Sequence, residues 1–362
     1  MRLPHLPATL IRTEQSTRSF FDRLPELVMI IARSTIFYIY DLQFYSEENF
    51  KLANVSSLSE YLSLPSRSSL FLFLWDSLMT GLILPQLPHV KFIGGVTARP
   101  AKELKSDLKK WADKATDGFV VCTFGSFLVS PTESMLEKLF YLFSELQPIP
   151  VIFKLSRKQL PTRLNSRVPE NVRMMDWLPQ NDLLGHPNAR LFITHAGTNG
   201  YGEALYHGVP LLAFPLIFMQ KFMAGRIENL GYGKEGSLFT MNGSELVRLA
   251  TEVLNDKRFR QRVGRVSKII KSRKHPTEVS ADAVEHVLEF GADHLRPKGS
   301  LSLNFLQFYT LDLLLLVYIL TTGLLLITFY IILVLSKAAR KRLKKVKWSF
   351  KIWNKNIKTK TN

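Results

Sequence analysis

The 362-residue chain holds one cysteine, Cys122, which excludes an intrachain disulfide and leaves the redox compartment open. It lacks a long apolar run at its start: Met1-Arg2-Leu3-Pro4-His5-Leu6-Pro7 gives way to Thr13-Glu14-Gln15, so no secretory leader is legible. Glycine-rich phosphate motifs of the common kinds are also missing. No Gly-Lys-Ser/Thr closes a loop, which excludes a Walker A site, and Gly197, Gly200 and Gly202 have the wrong spacing for a dinucleotide fingerprint. Histidine is scarce in the first quarter, where only His5 precedes His89. Internal repeats are absent, and residues 336–362 contain no Asp or Glu.

That last absence explains the net charge of +18, because the same 27 residues hold eleven Lys/Arg. The other 335 residues carry 37 basic and 30 acidic side chains, a mild excess that argues against a nucleic-acid-binding fold. Directly before the tail lies Leu313–Leu335, uncharged and long enough to span a bilayer. The positive-inside rule then puts the tail (336–362) in the cytoplasm and the body on the other side. The C-terminal Lys358-Thr359-Lys360-Thr361-Asn362 resembles the dilysine signal that returns membrane proteins to the endoplasmic reticulum.

Residues 1–87 are the least legible, and Phe20–Tyr45 reads as an apolar helix interrupted by Asp22, Arg23, Glu26, Arg33 and Asp41. From residue 88 to 290 strands and helices alternate. Val90–Gly95, Gly118–Ser126, Pro150–Leu155 and Leu191–Thr194 read as buried strands. Ser130-Pro131-Thr132-Glu133 reads as a capping box opening a helix over Met135–Leu146. Between Leu155 and Met174 the expectation is a loop rich in Arg, Lys and Pro. Amphipathic helices are expected over Ser244–Leu254, Lys257–Lys271 and Pro276–Phe290. The pattern predicts a parallel sheet covered on both faces, followed by a juxtamembrane segment (291–312) and the span (313–335).

The informative stretch is Trp177–Gln220. A strand ending at Thr194-His195 runs into the small-residue loop Ala196-Gly197-Thr198-Asn199-Gly200. The helical segment Gly202–His207 follows, closed by Gly208 at a C-cap position, and Val209–Pro215 reads as the next strand. Strand, loop and helix N-terminus in that order aim backbone N–H groups and a helix dipole at one spot suited to phosphate. Trp177 supplies an aromatic face, Gln180 an amide, His195 a phosphate donor and Glu203 a carboxylate for ribose hydroxyls. Each has a plainer alternative: core packing for Trp177, a strand-end cap for His195, an exposed helix carboxylate for Glu203.

The stretch WLPQNDLLGHPNARLFITHAGTNGYGEALYHGVPLLAFPLIFMQ resembles the signature of the UDP-glycosyltransferases, in particular the membrane-bound UDP-glucuronosyltransferase-like branch. The resemblance runs from about Pro88 through the C-terminal apolar segment and includes Leu295-Arg296-Pro297 and Leu311-Asp312. It implies an α/β, GT-B-type fold: a Rossmann-like donor domain (88–290), a partial N-terminal acceptor half (1–87) and one C-terminal transmembrane helix. The chain is thus expected to begin inside the family's acceptor half. The implied activity is transfer of a sugar from a UDP-sugar to hydroxyls of small lipophilic acceptors at the endoplasmic reticulum membrane. The UDP-sugar is the donor substrate, no separate cofactor or metal is implied, and association into homo- or hetero-oligomers stays open. Nucleic acid is not an expected partner.

Residue by residue, the resemblance puts uracil on Trp177 and the base or ribose on Gln180. It puts the diphosphate on His195 and the backbone N–H groups of Thr198, Asn199 and Gly200, and the ribose hydroxyls on Glu203. Thr123 and Ser126 match a serine-bearing diphosphate loop, Lys154 a basic residue near the nucleotide, and His186 a turn beside Pro187. Gln220 matches one half of an acid–amide pair that holds the transferred sugar, but Met219 stands where the acid is usual. A lost charged hydrogen bond is worth about 1.5–3 kcal/mol. The catalytic base is unknown, since the family's base is an N-terminal histidine and His5 has no matching context. A non-catalytic UDP-binding or hetero-oligomerising partner is therefore the alternative expectation.

Overall fold

The computed structural model describes residues 68–81, 83, 86–125, 131–295, 305–308 and 310–358. The apolar segment Phe20–Tyr45, nearly all of the expected acceptor half, Ser126 and the last four residues lie outside them.

The described chain opens with β1 (Phe71–Phe73), α1 (Ser77–Thr80) and β2 (Val90–Phe92), the two strands forming a small parallel sheet of their own. Then come α2 (Ser106–Lys114), β3 (Phe119–Thr123), α3 (Glu133–Glu145), β4 (Val151–Lys154), β5 (Val172–Met175), α4 (Gln180–Leu184), β6 (Ala189–Thr194), α5 (Thr198–His207) and β7 (Leu211–Ala213). The body closes with α6 (Phe218–Asn229), β8 (Gly233–Glu235), α7 (Gly243–Asn255), α8 (Lys257–Lys271) and α9 (Pro276–Phe290).

Six strands form one all-parallel sheet in the order β5-β4-β3-β6-β7-β8. Along β3 the side chains alternate between two cores, as the pleat requires. Phe119 and Val121 pack with Leu108 of α2, Tyr201 and Leu205 of α5, Ile227 of α6 and Val263 of α8. Val120 and Cys122 pack with Leu139 and Phe143 of α3 and with Leu246 and Val253 of α7. Both faces are covered, so the strands read as continuous apolar runs. The strand order reverses between β3 and β6, and a doubly wound sheet opens a ligand crevice at the carboxyl ends of the strands at that point.

Several boundaries differ from expectation. Helix α5 begins at Thr198 rather than Gly202, so the loop after β6 is only His195-Ala196-Gly197, and Thr198, Asn199 and Gly200 form the first helical turn. Small residues made that turn look like loop. Gly208 caps the helix at φ 71°, as its position predicts. The cap of α3 is Thr132, whose hydroxyl accepts from Met135 N–H at 3.3 Å, not Ser130. Two residues of register separate the readings, because both hydroxyls precede the same apolar run. The expected loop before Met174 contains β5, an edge strand too short and too mixed in polarity (Val-Arg-Met-Met) to stand out. Helices α7, α8 and α9 match their expected ranges to within a residue.

The C-terminal unit, Pro297–Asn362, is separate from the body. Its helix α10 (Leu311–Lys358) contains the uncharged Leu313–Leu335. Leu311–Leu343 is the one helical stretch among the described residues long and apolar enough to cross a membrane, consistent with a single-pass membrane protein.

Candidate nucleotide site

The switch point between β3 and β6 is where the sequence-predicted residues collect. From Leu191 to Ile193 strand β6 is apolar and buried, and after Thr194 His195 is the first side chain free of the sheet. Its ring lies between two glycines. A Cβ on Gly125 would stand 2.8 Å from His195 Cε1, and one on Gly197 would stand 2.6 Å from Nε2. Gly125, at φ 65°, also turns the loop after β3 back toward the ring. Ala196 takes φ 64°, a left-handed conformation that costs a residue with a Cβ about 1–2 kcal/mol. Strain of that kind persists where surrounding structure overdetermines the loop, and it concentrates at functional sites.

The electrostatics suit an anion. Burial lowers the His195 pKa below its ordinary value, against a raising influence of the Thr123 backbone and with a further lowering by Lys154. The imidazole is therefore neutral near pH 7 and keeps one N–H to donate. Its buried Nδ1 has no hydrogen-bond partner. Helix α5 has Gly197 at its N-cap and no side-chain cap, so its first-turn N–H groups are available to a ligand.

Around this seat stand two linked groups. Lys154, at the end of β4, donates to Gly125 O at 3.1 Å and lies 4.6 Å over the Trp177 ring. Burial lowers the Lys154 pKa. Trp177 is 70% exposed, an indole left in solvent rather than packed in a core. On the other side of the α5 N-terminus, Gln180 donates to Glu203 at 2.6 Å. Burial raises the Glu203 pKa, opposed by that bond, by Arg99 and by Thr97. Gly200 leaves room for the Gln180 amide, which a Cβ there would meet at 3.1 Å.

Sequence reading missed Gly125 as the second wall of the His195 slot, and Arg99, which anchors α4 through Asp182 at 2.6 and 3.1 Å. Neither belongs to a local motif; the two contacts join residues about 70 and 83 apart in the chain. Thr123 is buried, and its hydroxyl accepts from Gly125 N–H at 3.1 Å, so it shapes the loop. His186 accepts from Asn188 N–H at 3.2 Å and lies 3.1 Å from Asp113, the turn-holding role expected of it.

The sugar-side pair is arranged differently. Gln220 is buried, and its Oε1 accepts from the N–H groups of Leu216 and Ile217 at 2.8 and 3.2 Å. It pins the turn that leads into α6, leaving only its amide NH2 for a hydroxyl. Met219 is exposed, and Lys221 is paired with Glu235. Among the described residues no three His, Cys, Asp or Glu side chains stand together as a metal would require.

Comparison with known proteins accords with this geometry. The family profile described as UDP-glucoronosyl and UDP-glucosyl transferase matches residues 4–348. Human UDP-glucuronosyltransferase 2B15 is 30% identical over 334 residues, 90% of this chain and 60% of that protein. UDP-glucuronosyltransferase 2B33 of Macaca mulatta is 31% identical over 81% of this chain and 54% of its own length. Rat 2-hydroxyacylsphingosine 1-beta-galactosyltransferase is 34% identical over 63% of this chain. The chain spans about half the length of the curated relatives it matches. Among solved structures, the glycotransferase of kitacinnamycin superposes with a TM-score of 0.52 at 21% identity, covering 62% of this chain and 56% of its own. That likeness concerns the fold, which is the expected GT-B-type α/β architecture.

Proposed function

Because the chain belongs to the family of UDP-glucuronosyl and UDP-glucosyl transferases, we propose that its six-stranded domain binds a UDP-sugar and serves as the donor half of a glycosyl transfer. The observation that carries this reading is His195, half-buried with a buried and unpaired Nδ1, slotted between Gly125 and Gly197 at an uncapped helix start. Uracil stacks on the exposed face of Trp177, displacing the Lys154 ammonium toward the diphosphate. Ribose hydroxyls donate to Glu203. As the anomeric C–O bond breaks, charge develops on the departing UDP, and the α5 amides, the His195 N–H and Lys154 stabilise it. Dipoles already oriented at the sheet edge need no reorganisation at that moment.

The acceptor's attacking hydroxyl loses a proton to a general base. His195 belongs to the phosphate side, and His89 is buried with Nδ1 3.2 Å from Leu295 O, a structural position. The acceptor is read, from the family resemblance, as a hydroxyl of a small lipophilic molecule. The sugar is left open between acidic and neutral hexoses, since a relative named for galactosyl transfer matches as well. The basic tail supports residence in the endoplasmic reticulum membrane with the body lumenal and the tail cytoplasmic.

The test is calorimetric titration of the full chain in detergent micelles with UDP, then UDP-glucuronic acid, beside His195→Ala. UDP binding lost in a variant that still melts cooperatively supports the donor site. Equal binding by the variant, or none by a folded wild type, removes it.

A further inference from the structure

Beyond the nucleotide site, the body's charge is unevenly placed. Residues 257–274, read KRFRQRVGRVSKIIKSRK, carry nine Lys/Arg and no Asp or Glu. The remainder of residues 1–335 then holds 28 basic and 30 acidic side chains, so the body's whole positive excess lies on α8 and its C-terminal extension. Within α8 the charges are sorted by face. Phe259, Val263 and Val266 are buried against the sheet's helices. Arg258, Arg262, Arg265 and Lys268 are exposed and recur at four- and three-residue spacing away from that apolar stripe, with Lys257 exposed beside them. Arg258 pairs with Asp256 at 2.7 Å and Arg262 donates to Leu230 O at 3.0 Å. Among the described residues, Lys257, Arg265 and Lys268 enter no ion pair. Like charges one turn apart destabilise a helix, so an uncompensated row of them calls for an external anion.

We propose that the exposed face of α8 docks on the anionic headgroup layer of the membrane into which this chain inserts. The apolar face of α8 is already spent on the core, so the contact is electrostatic and lies at headgroup depth rather than in the acyl region. Only 39 residues separate α8 from α10, so the body is tethered beside a bilayer and even a weak surface contact forms at high effective concentration. A row of cations along 15 helical residues, about 22 Å at 1.5 Å per residue, matches an extended charged plane better than a compact ligand. Basic faces held beside a bilayer attract acidic headgroups of the leaflet that faces them, here the one on the body's side, over about a Debye length.

The only native thiol, Cys122, is fully buried. A dye on Gln261→Cys, within the basic face, therefore reports α8 alone in the full chain reconstituted into vesicles that carry a headgroup acceptor. Replacing a third of the phosphatidylcholine by phosphatidylserine is expected to raise energy transfer about twofold at about 0.1 M salt and to lose the gain at about 1 M, where screening shortens to about 3 Å. Lys257→Gln/Arg265→Gln/Lys268→Gln, with an unchanged melting temperature, is expected to abolish the gain while the basic tail remains intact. Transfer that ignores lipid charge, or a gain that survives the triple variant, overturns the proposal. So does a dye response to soluble polyglutamate with none to phosphatidylserine, which identifies a protein-docking surface instead.

Discussion

Two strand-to-helix junctions at the same sheet edge meet their helix starts in different ways. After β6 the chain turns through a strained Ala196, reaches an N-cap glycine and leaves α5 uncapped, with His195 half-buried and its Nδ1 unpaired beside it. After β7, Gln220 folds back and accepts from the N–H groups of Leu216 and Ile217, pinning the turn that leads into α6, while the first-turn N–H groups of α6 have no side-chain cap. Every helix start has N–H groups without intrahelical partners. What sets α5 apart is the half-buried imidazole with an unpaired Nδ1 and the strained turn beside its free N–H groups, an arrangement suited to an anion. On the proposed reading the β6–α5 junction receives the nucleotide, and Gln220 holds the turn before α6.

The contrast breaks most sharply in paired variants. His195→Ala should weaken UDP binding about tenfold to a hundredfold, the 1.5–3 kcal/mol of a charge-assisted hydrogen bond. Gln220→Ala should leave UDP affinity unchanged and cost about 1–3 kcal/mol of stability, since two backbone N–H groups lose their acceptor. Calorimetry and denaturant melts of both proteins read the two effects, and a Gln220→Ala variant that loses UDP as His195→Ala does would erase the distinction. Met219→Asp should sharpen it by about tenfold, strengthening UDP-glucuronic acid or UDP-glucose relative to UDP, since a carboxylate accepts sugar hydroxyls that a thioether does not. Equal gains for UDP itself would show that position 219 does not face the sugar.

Acid should act at the far end of α5. Burial, reinforced by Lys271, lowers the His207 pKa from 6.5 to about 4. A group depressed on folding contributes stability that is present above its unfolded pKa and lost as pH falls through the folded one. Melting temperature should therefore drop between pH 6.5 and 4, and His207→Gln, which keeps a donor near Asn181 Oδ1, should flatten that slope. The smallest effect is expected from Ala196→Gly. Relief of the left-handed strain should raise stability by about 0.5–1 kcal/mol with little change in UDP affinity. A loss of stability there would mean that the loop is held by the methyl group rather than strained by it.

Much of this architecture was legible beforehand. Helices α7, α8 and α9 follow from apolar periodicity, and β3, β4 and β6 from short buried runs. The candidate site residues Trp177, Gln180, His195 and Glu203 could be named in advance because they cluster within 27 positions of a specific signature. Edge strands β5 and β8 were not, since an edge tolerates polar side chains and loses the buried-strand pattern. The first turn of α5 was hidden by Thr198-Asn199-Gly200, residues that favour turns until the sheet and a free N-terminus hold them helical.

By itself the sequence determined what is local and periodic: the strand–helix alternation, the apolar span before a basic tail, and a small-residue loop placed to receive phosphate. Which groups meet was decided by tertiary structure. Gly125 reaches His195 across β3 and β6, Lys154 reaches Trp177 from the end of β4, and Gln220 turns inward to its own helix. Periodicity reports which face of an element is buried. It carries no record of which distant backbone arrives opposite a side chain, and that arrival is what walls the His195 ring with Gly125.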